Sequence, residues 1–405
     1  MASSKSDNTA PAPRYFDPAP LPKQWDVPLP GGGGAVLHEK ELWRKAYFYL
    51  NVFLVVFVFI FESLVTFQLQ LFSTPLYLID KEKFYAVIHY SQKLFGVAMV
   101  SIHQLFAPTT FIIYQDATIP GPLFCKPCVP PSQKVSLDDM KESLVLPKRI
   151  ILISNHQLYS DWIYIWALAY MARRHGDLKV ILKKSLKNIP IWGWGMQFFD
   201  FIFLERSWTK DAQNFLAHMA KLKSSTSPLW LLIFPEGTTI SAETREKSHT
   251  FAEKNGIPVP KHTLLPRSLG LYTCVNSLGN TIDYIYDLTV GIPGVPRGAT
   301  PQYTYTLASL YVMGLNPGQI HVHFRRFKVS ELPREEEAFS AWLQARWQEK
   351  DELLEHFYQK GCFPADTESL PKLCNVSLRH LAEFLQFPVL QYAFTSVFTL
   401  IWRLL

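Results

Sequence analysis

Charge is scarce in this 405-residue chain: Asp, Glu, Lys and Arg together make 18% of it, while aromatic residues make 14%. Soluble domains carry about 25% charge, so there is more apolar surface here than a soluble core needs. The composition points to membrane association. Cysteine is also rare. Cys125, Cys128, Cys274, Cys362 and Cys374 are too few and too scattered for a disulfide framework, which fits a reducing compartment. Cys125-Lys-Pro-Cys128 has zinc-knuckle spacing, but no second Cys/His pair lies within reach, so free thiols in a loop are expected and no metal. No basic block with interleaved aromatics is present, which argues against nucleic acid as a partner. The modest net charge of +6 suits an anionic surface such as phospholipid headgroups, or an anionic ligand. No secretory signal pattern and no internal repeat are found.

The chain divides by composition into four parts. Residues 1–40 hold seven prolines ahead of Gly31 to Gly34, without apolar periodicity, and are expected to be a disordered tail. Residues 41–116 carry membrane-associated hydrophobic helices. From Ala46 to Ile79 the only charged residue is Glu62, and Trp43, Arg44 and Lys45 precede the run like an interfacial anchor. A second uncharged stretch, 94–115, contains Pro108. Residues 336–405 are expected to be helices ending in a third hydrophobic segment, 384–402. Each of the three is long enough to span or to lie half-buried in a bilayer. Between them, residues 117–335 read as α/β. Apolar runs at 149–154, 180–182, 199–204 and 229–234 have the shape of buried strands, and helical spacing separates them. That alternation predicts a mainly parallel sheet flanked by helices. Further strands are expected at 283–291 and 319–329, then an amphipathic helix over 339–358 stopped by Gly361.

Polar clusters follow three of these strands, where functional groups of parallel sheets gather. The first run ends at Asn155-His156, and Asp161 lies five residues beyond the histidine. A carboxylate at that spacing can orient an imidazole and leave its other nitrogen free to take a proton. Alone, the spacing equally suits a surface histidine and a helix-capping aspartate. The second run ends at Glu205-Arg206, and an arginine there can hold a phosphate in bidentate fashion. The third ends at Pro235-Glu236-Gly237-Thr238-Thr239, a sharp turn with donors, acceptors and an open backbone at Gly237. A fourth cluster, Pro266-Arg267, adds a second anion hook. The Lys183-Lys184 turn adds positive charge between the first two clusters. There is no G-x-S-x-G nucleophile elbow and no cysteine in these clusters. The simplest chemistry for a base at His156 is deprotonation of an alcohol brought by a substrate. His321 and His323 alternate on one strand with no further ligand in view, and read as structural.

In this order the clusters resemble the motifs of the PlsC-type glycerolipid acyltransferases, the lysophosphatidic acid acyltransferase family. NHQLYSD at 155–161 matches the N-H-x-x-x-x-D block, and KKSLKNIPIWG at 183–193 resembles the K-x-x-L-x-x-x-P-x-x-G segment. FLERSW, FPEGTT and LLPR resemble the second, third and fourth blocks. AWLQARWQEKDELLEHFYQKG at 341–361 resembles the helix after the core in the branch containing lysocardiolipin and lysophosphatidylinositol acyltransferases. Two positions depart: Thr239 stands where many members have arginine, and Glu205 where many have another residue. The resemblance implies a glycerol-3-phosphate acyltransferase-like α/β fold with membrane helices at both ends. It implies His156 as general base oriented by Asp161, with Asn155, Arg206, Glu236, Gly237, Thr238 and Arg267 binding substrate. It implies no permanently bound cofactor, acyl-CoA as co-substrate, a lysophospholipid acceptor and membrane phospholipids as surroundings. The acceptor it implies is lysophosphatidic acid, lysophosphatidylinositol or lysocardiolipin. The expected location is the endoplasmic reticulum membrane with a cytosolic active site, lipid droplets being the alternative. A non-catalytic lipid-binding scaffold and a CoA-independent transacylase are the rival readings.

Overall fold

The computed structural model describes residues 35–125, 143–296, 299–364 and 370–404. Cys128 and residues 1–34 of the expected tail lie outside them, and residues 35–40 open the first helix rather than belonging to a coil. That helix, α1 (Ala35–Ser73), is followed by a single turn, α2 (Leu76–Ile79), and by α3 (Lys81–Phe106). Asp80 caps α3 by accepting the Lys83 N–H at 3.1 Å. The uncharged stretch 94–115 is not one hydrophobic segment. Pro108 lacks the N–H to continue the helix, so α3 stops at Phe106, and strand β1 (Thr110–Gln115) begins just after. A short ladder pairs β2 (Phe124–Cys125) with β3 (Ser143–Leu144).

The α/β core then runs β4 (Arg149–Ser154), α4 (Asp161–Met171), β5 (Leu178–Lys183), α5 (Trp192–Phe198), β6 (Ile202–Leu204), α6 (Trp208–Ser224) and β7 (Leu229–Ile233). It continues with α7 (Ala242–Lys254), α8 (Ser268–Leu278), β8 (Tyr284–Gly291), α9 (Pro301–Thr304), α10 (Leu307–Tyr311) and β9 (Gln319–Lys328). The chain closes with α11 (Glu336–Lys360), β10 (Lys372–Asn375) and α12 (Leu381–Leu404). One sheet of eight strands has the order β10-β1-β9-β8-β4-β7-β5-β6. The pairs are parallel except β8 with β9 and β1 with β10. The sheet therefore takes in β1 and β10, which the compositional division leaves outside residues 117–335. Neither carries a strand signal of its own: β1 sits at the tail of an uncharged run, and β10 has only four residues.

The central strands β4, β7 and β8 are buried on both faces, as strands with covering helices must be. In β4, Ile150 and Leu152 pack with Leu94 and Val97 of α3 and Trp166 of α4. Ile151 and Ile153 point the other way, onto Phe215 of α6, Leu271 of α8 and Phe339 of α11. Burying such a side chain contributes about 1.5–3 kcal/mol, so both layers are held mainly by this packing. A buried ion cluster fastens α11 to the sheet. Asp287 of β8 accepts from Lys350 of α11 at 2.5 Å and from Arg325 of β9 at 2.6 Å. Lys350 also donates to the Leu288 carbonyl and the Thr289 hydroxyl, so its buried charge has several partners.

Among the described residues, one stretch, Phe48–Ile79, is long and apolar enough to cross a membrane. The expected C-terminal membrane segment does not join it. It forms α12, but Pro388 lies inside the helix, with Gln391, Thr395, Ser396 and Thr399 along its length. Its first turns are docked instead: Phe387 is buried, and Glu383 is held by Tyr170 and Arg379.

Candidate active site

Strands β4, β7, β5 and β6 are neighbours and run the same way, so their carboxyl ends open on one edge. The first three predicted clusters lie there. His156 Nδ1 is 3.0 Å from Asp161 Oδ2. The same oxygen accepts the backbone N–H groups of Gln157 at 2.6 Å and Leu158 at 2.8 Å. Three donors converge on it, so Nδ1 carries the ring proton and Nε2 presents its lone pair. Asp161 is the first residue of α4 and is buried, which fixes the carboxylate against the turn. Phe234 stacks on the imidazole at a centroid distance of 4.2 Å, and the Thr239 hydroxyl meets Nε2 at 3.1 Å. The ring is held at both nitrogens and on one face.

A cavity of about 930 Å³ opens beside His156. Arg206, Gly237, Thr238 and Arg267 line it together with the histidine. Arg206 follows β6 in the left-handed backbone region, at φ 66°, which costs about 1–3 kcal/mol for a residue with a Cβ. Asp211 of α6 offsets this by accepting the N–H groups of Glu205 at 2.9 Å and Ser207 at 3.0 Å on either side. Glu205 itself pairs with Lys184 and Lys210 rather than facing the cavity. Gly237, at φ 70°, leaves room for the Arg267 side chain 3.5 Å from where a Cβ would stand. Burial, and then the neighbouring charge of Arg267, lowers the Arg206 guanidinium from its ordinary value. Two cations thus share one cavity wall, and no carboxylate among the described residues pairs with either.

Two predicted site residues face elsewhere. Asn155 is buried and pins β4 to β8 through both amide atoms, donating to the Val290 carbonyl and accepting the Val290 N–H. Glu236 is buried too. Its Oε1 accepts the His156 N–H at 3.3 Å and the Trp347 indole N–H at 3.4 Å, and burial pushes its carboxyl up to about 8. It braces the His156 turn from behind. The predicted structural role of His321 and His323 fits their surroundings: Tyr114 hydrogen-bonds His321 at 2.9 Å, and both rings pack on phenylalanines.

Sequence reasoning missed the other end of the cavity. It runs between α5 and α1, where Phe59, Ser63, Thr66, Phe67 and Gln70 of the apolar helix line it. Ser63, Thr66 and Gln70 recur at one-face helical spacing inside a hydrophobic run, and that periodicity was the available signal. In the first turn of α5 a Cβ on Gly193 would stand 2.4 Å from the Leu186 carbonyl oxygen, so the close approach requires glycine.

A family model described as acyltransferase matches residues 138–292, and one described as acyltransferase C-terminus matches residues 311–385. An uncharacterised acyltransferase of Schizosaccharomyces pombe is 34% identical over 80% of this chain and 88% of its own length. A 2-acyl-1-lysophosphatidylinositol acyltransferase of Saccharomyces cerevisiae is 33% identical over 77% of this chain and 85% of its own. Lysocardiolipin acyltransferase 1 of Gallus gallus is 38% identical over 58% of this chain and 61% of its own. The chain belongs to the PlsC-type acyltransferase family and is an enzyme of the class that holds the 1-acylglycerol-3-phosphate and lysophospholipid acyltransferases.

Proposed function

We propose that the protein transfers a fatty acyl group from acyl-CoA to a free glycerol hydroxyl of a lysophospholipid. The observation that carries this reading is the Asp161–His156 pair opening onto a cavity with an apolar far end and two uncompensated arginines. The acceptor hydroxyl gives its proton to His156 Nε2 while its oxygen attacks the thioester carbonyl. The C–S bond breaks, and the proton on Nε2 passes to the leaving CoA sulfur. Asp161 keeps the imidazole in the tautomer that accepts, and steadies the imidazolium. Arg206 and Arg267 hold the acceptor's phosphate, Gly237 lets it approach the backbone, and Thr238 offers a hydroxyl to the glycerol. The acyl chain enters the apolar end between α1 and α5. Among acceptors, lysophosphatidylinositol has support from the yeast relative that carries that activity in its name and matches over most of its length. The apolar Phe48–Ile79 stretch supports work at a membrane surface, which we assign to the cytosolic face of the endoplasmic reticulum.

The test is transfer of labelled oleoyl-CoA to lysophosphatidic acid, lysophosphatidylinositol and lysocardiolipin by membranes holding the protein. A His156→Ala variant at matched abundance is expected to lose at least about a hundredfold, the contribution of a general base. No transfer by the wild type to any acceptor would overturn the reading, and full activity in the variant would overturn the mechanism.

A further inference from the structure

The nitrogen that has to receive the acceptor's proton is already occupied. Thr239 Oγ1 lies 3.1 Å from His156 Nε2, and no other hydrogen bond of this hydroxyl is present among the described residues. With the ring proton on Nδ1, the threonine O–H donates to Nε2. Its position is fixed by the backbone on both sides. Ile240 N–H donates to the His156 carbonyl at 3.0 Å, and the Thr244 hydroxyl donates to the Thr239 carbonyl at 3.2 Å. Thr244 is in turn locked in the capping box that starts α7. Thr239 lines the cavity and is nearly buried.

We propose that the Thr239 hydroxyl is a specificity-determining group: it fills the acceptor-hydroxyl position on His156 and so keeps water from hydrolysing bound acyl-CoA. The proposal rests on the acyl-transfer reading above. A thioester held beside a free base and a water molecule would be cleaved. The water oxygen would bond to the carbonyl carbon, the C–S bond would break, and the water proton would pass through Nε2 to the CoA sulfur. To reach Nε2, water has to displace Thr239, and it exchanges one hydrogen bond for another with no anchoring contact elsewhere in the cavity to drive the exchange. A lysophospholipid arrives with its phosphate on Arg206 and Arg267, and that binding energy serves to turn the threonine aside. The hydroxyl thus couples activation of the base to the presence of the right acceptor.

Two rates read this out: CoA release from oleoyl-CoA without acceptor, and acyl transfer to the best acceptor. In the wild type, CoA release is expected to be at least about a hundredfold slower than transfer, in line with the contribution of a general base withheld from water. Thr239→Ala opens room for a water at Nε2. It is expected to raise acceptor-independent CoA release by at least about tenfold while transfer persists, a part of the rate a general base supplies. Thr239→Ser keeps the hydroxyl and should keep the wild-type ratio. His156→Ala added to Thr239→Ala should abolish the new hydrolysis. The proposal is overturned if the wild type already hydrolyses acyl-CoA at a rate close to transfer, a result that needs no variant. It is also overturned if Thr239→Ala leaves the ratio unchanged, or if it loses both activities while Thr239→Ser retains them. In those cases wild-type transfer still stands as evidence for the acyltransferase reading. Absence of wild-type transfer sinks both.

Discussion

Glu236 Oε1 receives the His156 N–H and the Trp347 indole N–H, so one carboxyl ties the turn after β4 to α11. Burial raises it to about 8, whereas an unfolded glutamate titrates near 4.3. Between those values the folded chain holds one proton more than the unfolded chain, so this group makes stability fall as pH rises, until the window ends near pH 8. Glu236→Gln keeps an acceptor oxygen and has no proton to lose. We expect the Tm of the wild type to drop, relative to that of Glu236→Gln, as pH goes from about 5.5 to about 7.5. A constant difference between the two proteins would show that the carboxyl is not held neutral. At this scale the order of the motifs marked residues that the fold does gather: His156, Asp161 and Arg206 lie just past strand ends, and Arg267 precedes α8 beside the same cavity. That order did not separate Asn155 and Glu236 from the cavity-facing residues. The two ends of a turn look alike in sequence, and which side faces the cavity depends on α11 and β8, far along the chain.

Among the elements, the turn between β6 and α6 sets where Arg206 stands on the cavity wall. Arg206 adopts a left-handed conformation there because Asp211 receives the N–H groups of both its neighbours. Asp211→Asn replaces one acceptor oxygen with a donor and leaves one of those N–H groups facing another, a loss of about 1–3 kcal/mol for a buried group. The turn should relax and take the Arg206 guanidinium from the cavity wall. We expect KM for the lysophospholipid to rise severalfold to about tenfold, with KM for acyl-CoA little changed, since only one substrate loses a contact. If Arg206→Ala raises the acceptor KM and Asp211→Asn does not, the aspartate only supports the fold. The strands that build this edge were readable from short apolar runs, with boundaries shifted by a few residues: the run at 199–204 yields only Ile202–Leu204 as strand. β1 was not readable, because Phe111, Ile112 and Ile113 continue an apolar helix in composition and only Pro108 separates them. A strand buried on both faces, as β1 is, shows no alternation to betray it.

For the whole molecule, the first helix belongs to the enzyme as much as to any membrane. Phe53 and Phe57 of α1 are exposed, while Ser63, Thr66 and Gln70 close the cavity against α5. Trp192 of α5 donates its indole N–H to Ser63 at 3.0 Å and stacks on Phe59, so the two helices meet over the cavity. Composition separated residues 41–116 from the catalytic core because it registers only the apolar exterior of α1. A side chain added on its inner face should therefore act on substrate choice. Thr66 is buried, with its hydroxyl donating to the Glu62 carbonyl one turn back at 2.8 Å. Its replacement by phenylalanine puts a ring into the apolar end. A cavity of about 930 Å³ lies in the upper range of ligand sites, so a shorter chain should still fit while oleoyl is crowded. In Thr66→Phe, transfer from lauroyl-CoA relative to oleoyl-CoA is expected to rise by at least about tenfold, the discrimination that one or two methylenes command in an apolar pocket. A uniform fall with every donor would mean that α1 shapes the fold and that the acyl chain lies elsewhere. A shift in chain length would place the donor's tail between α1 and α5.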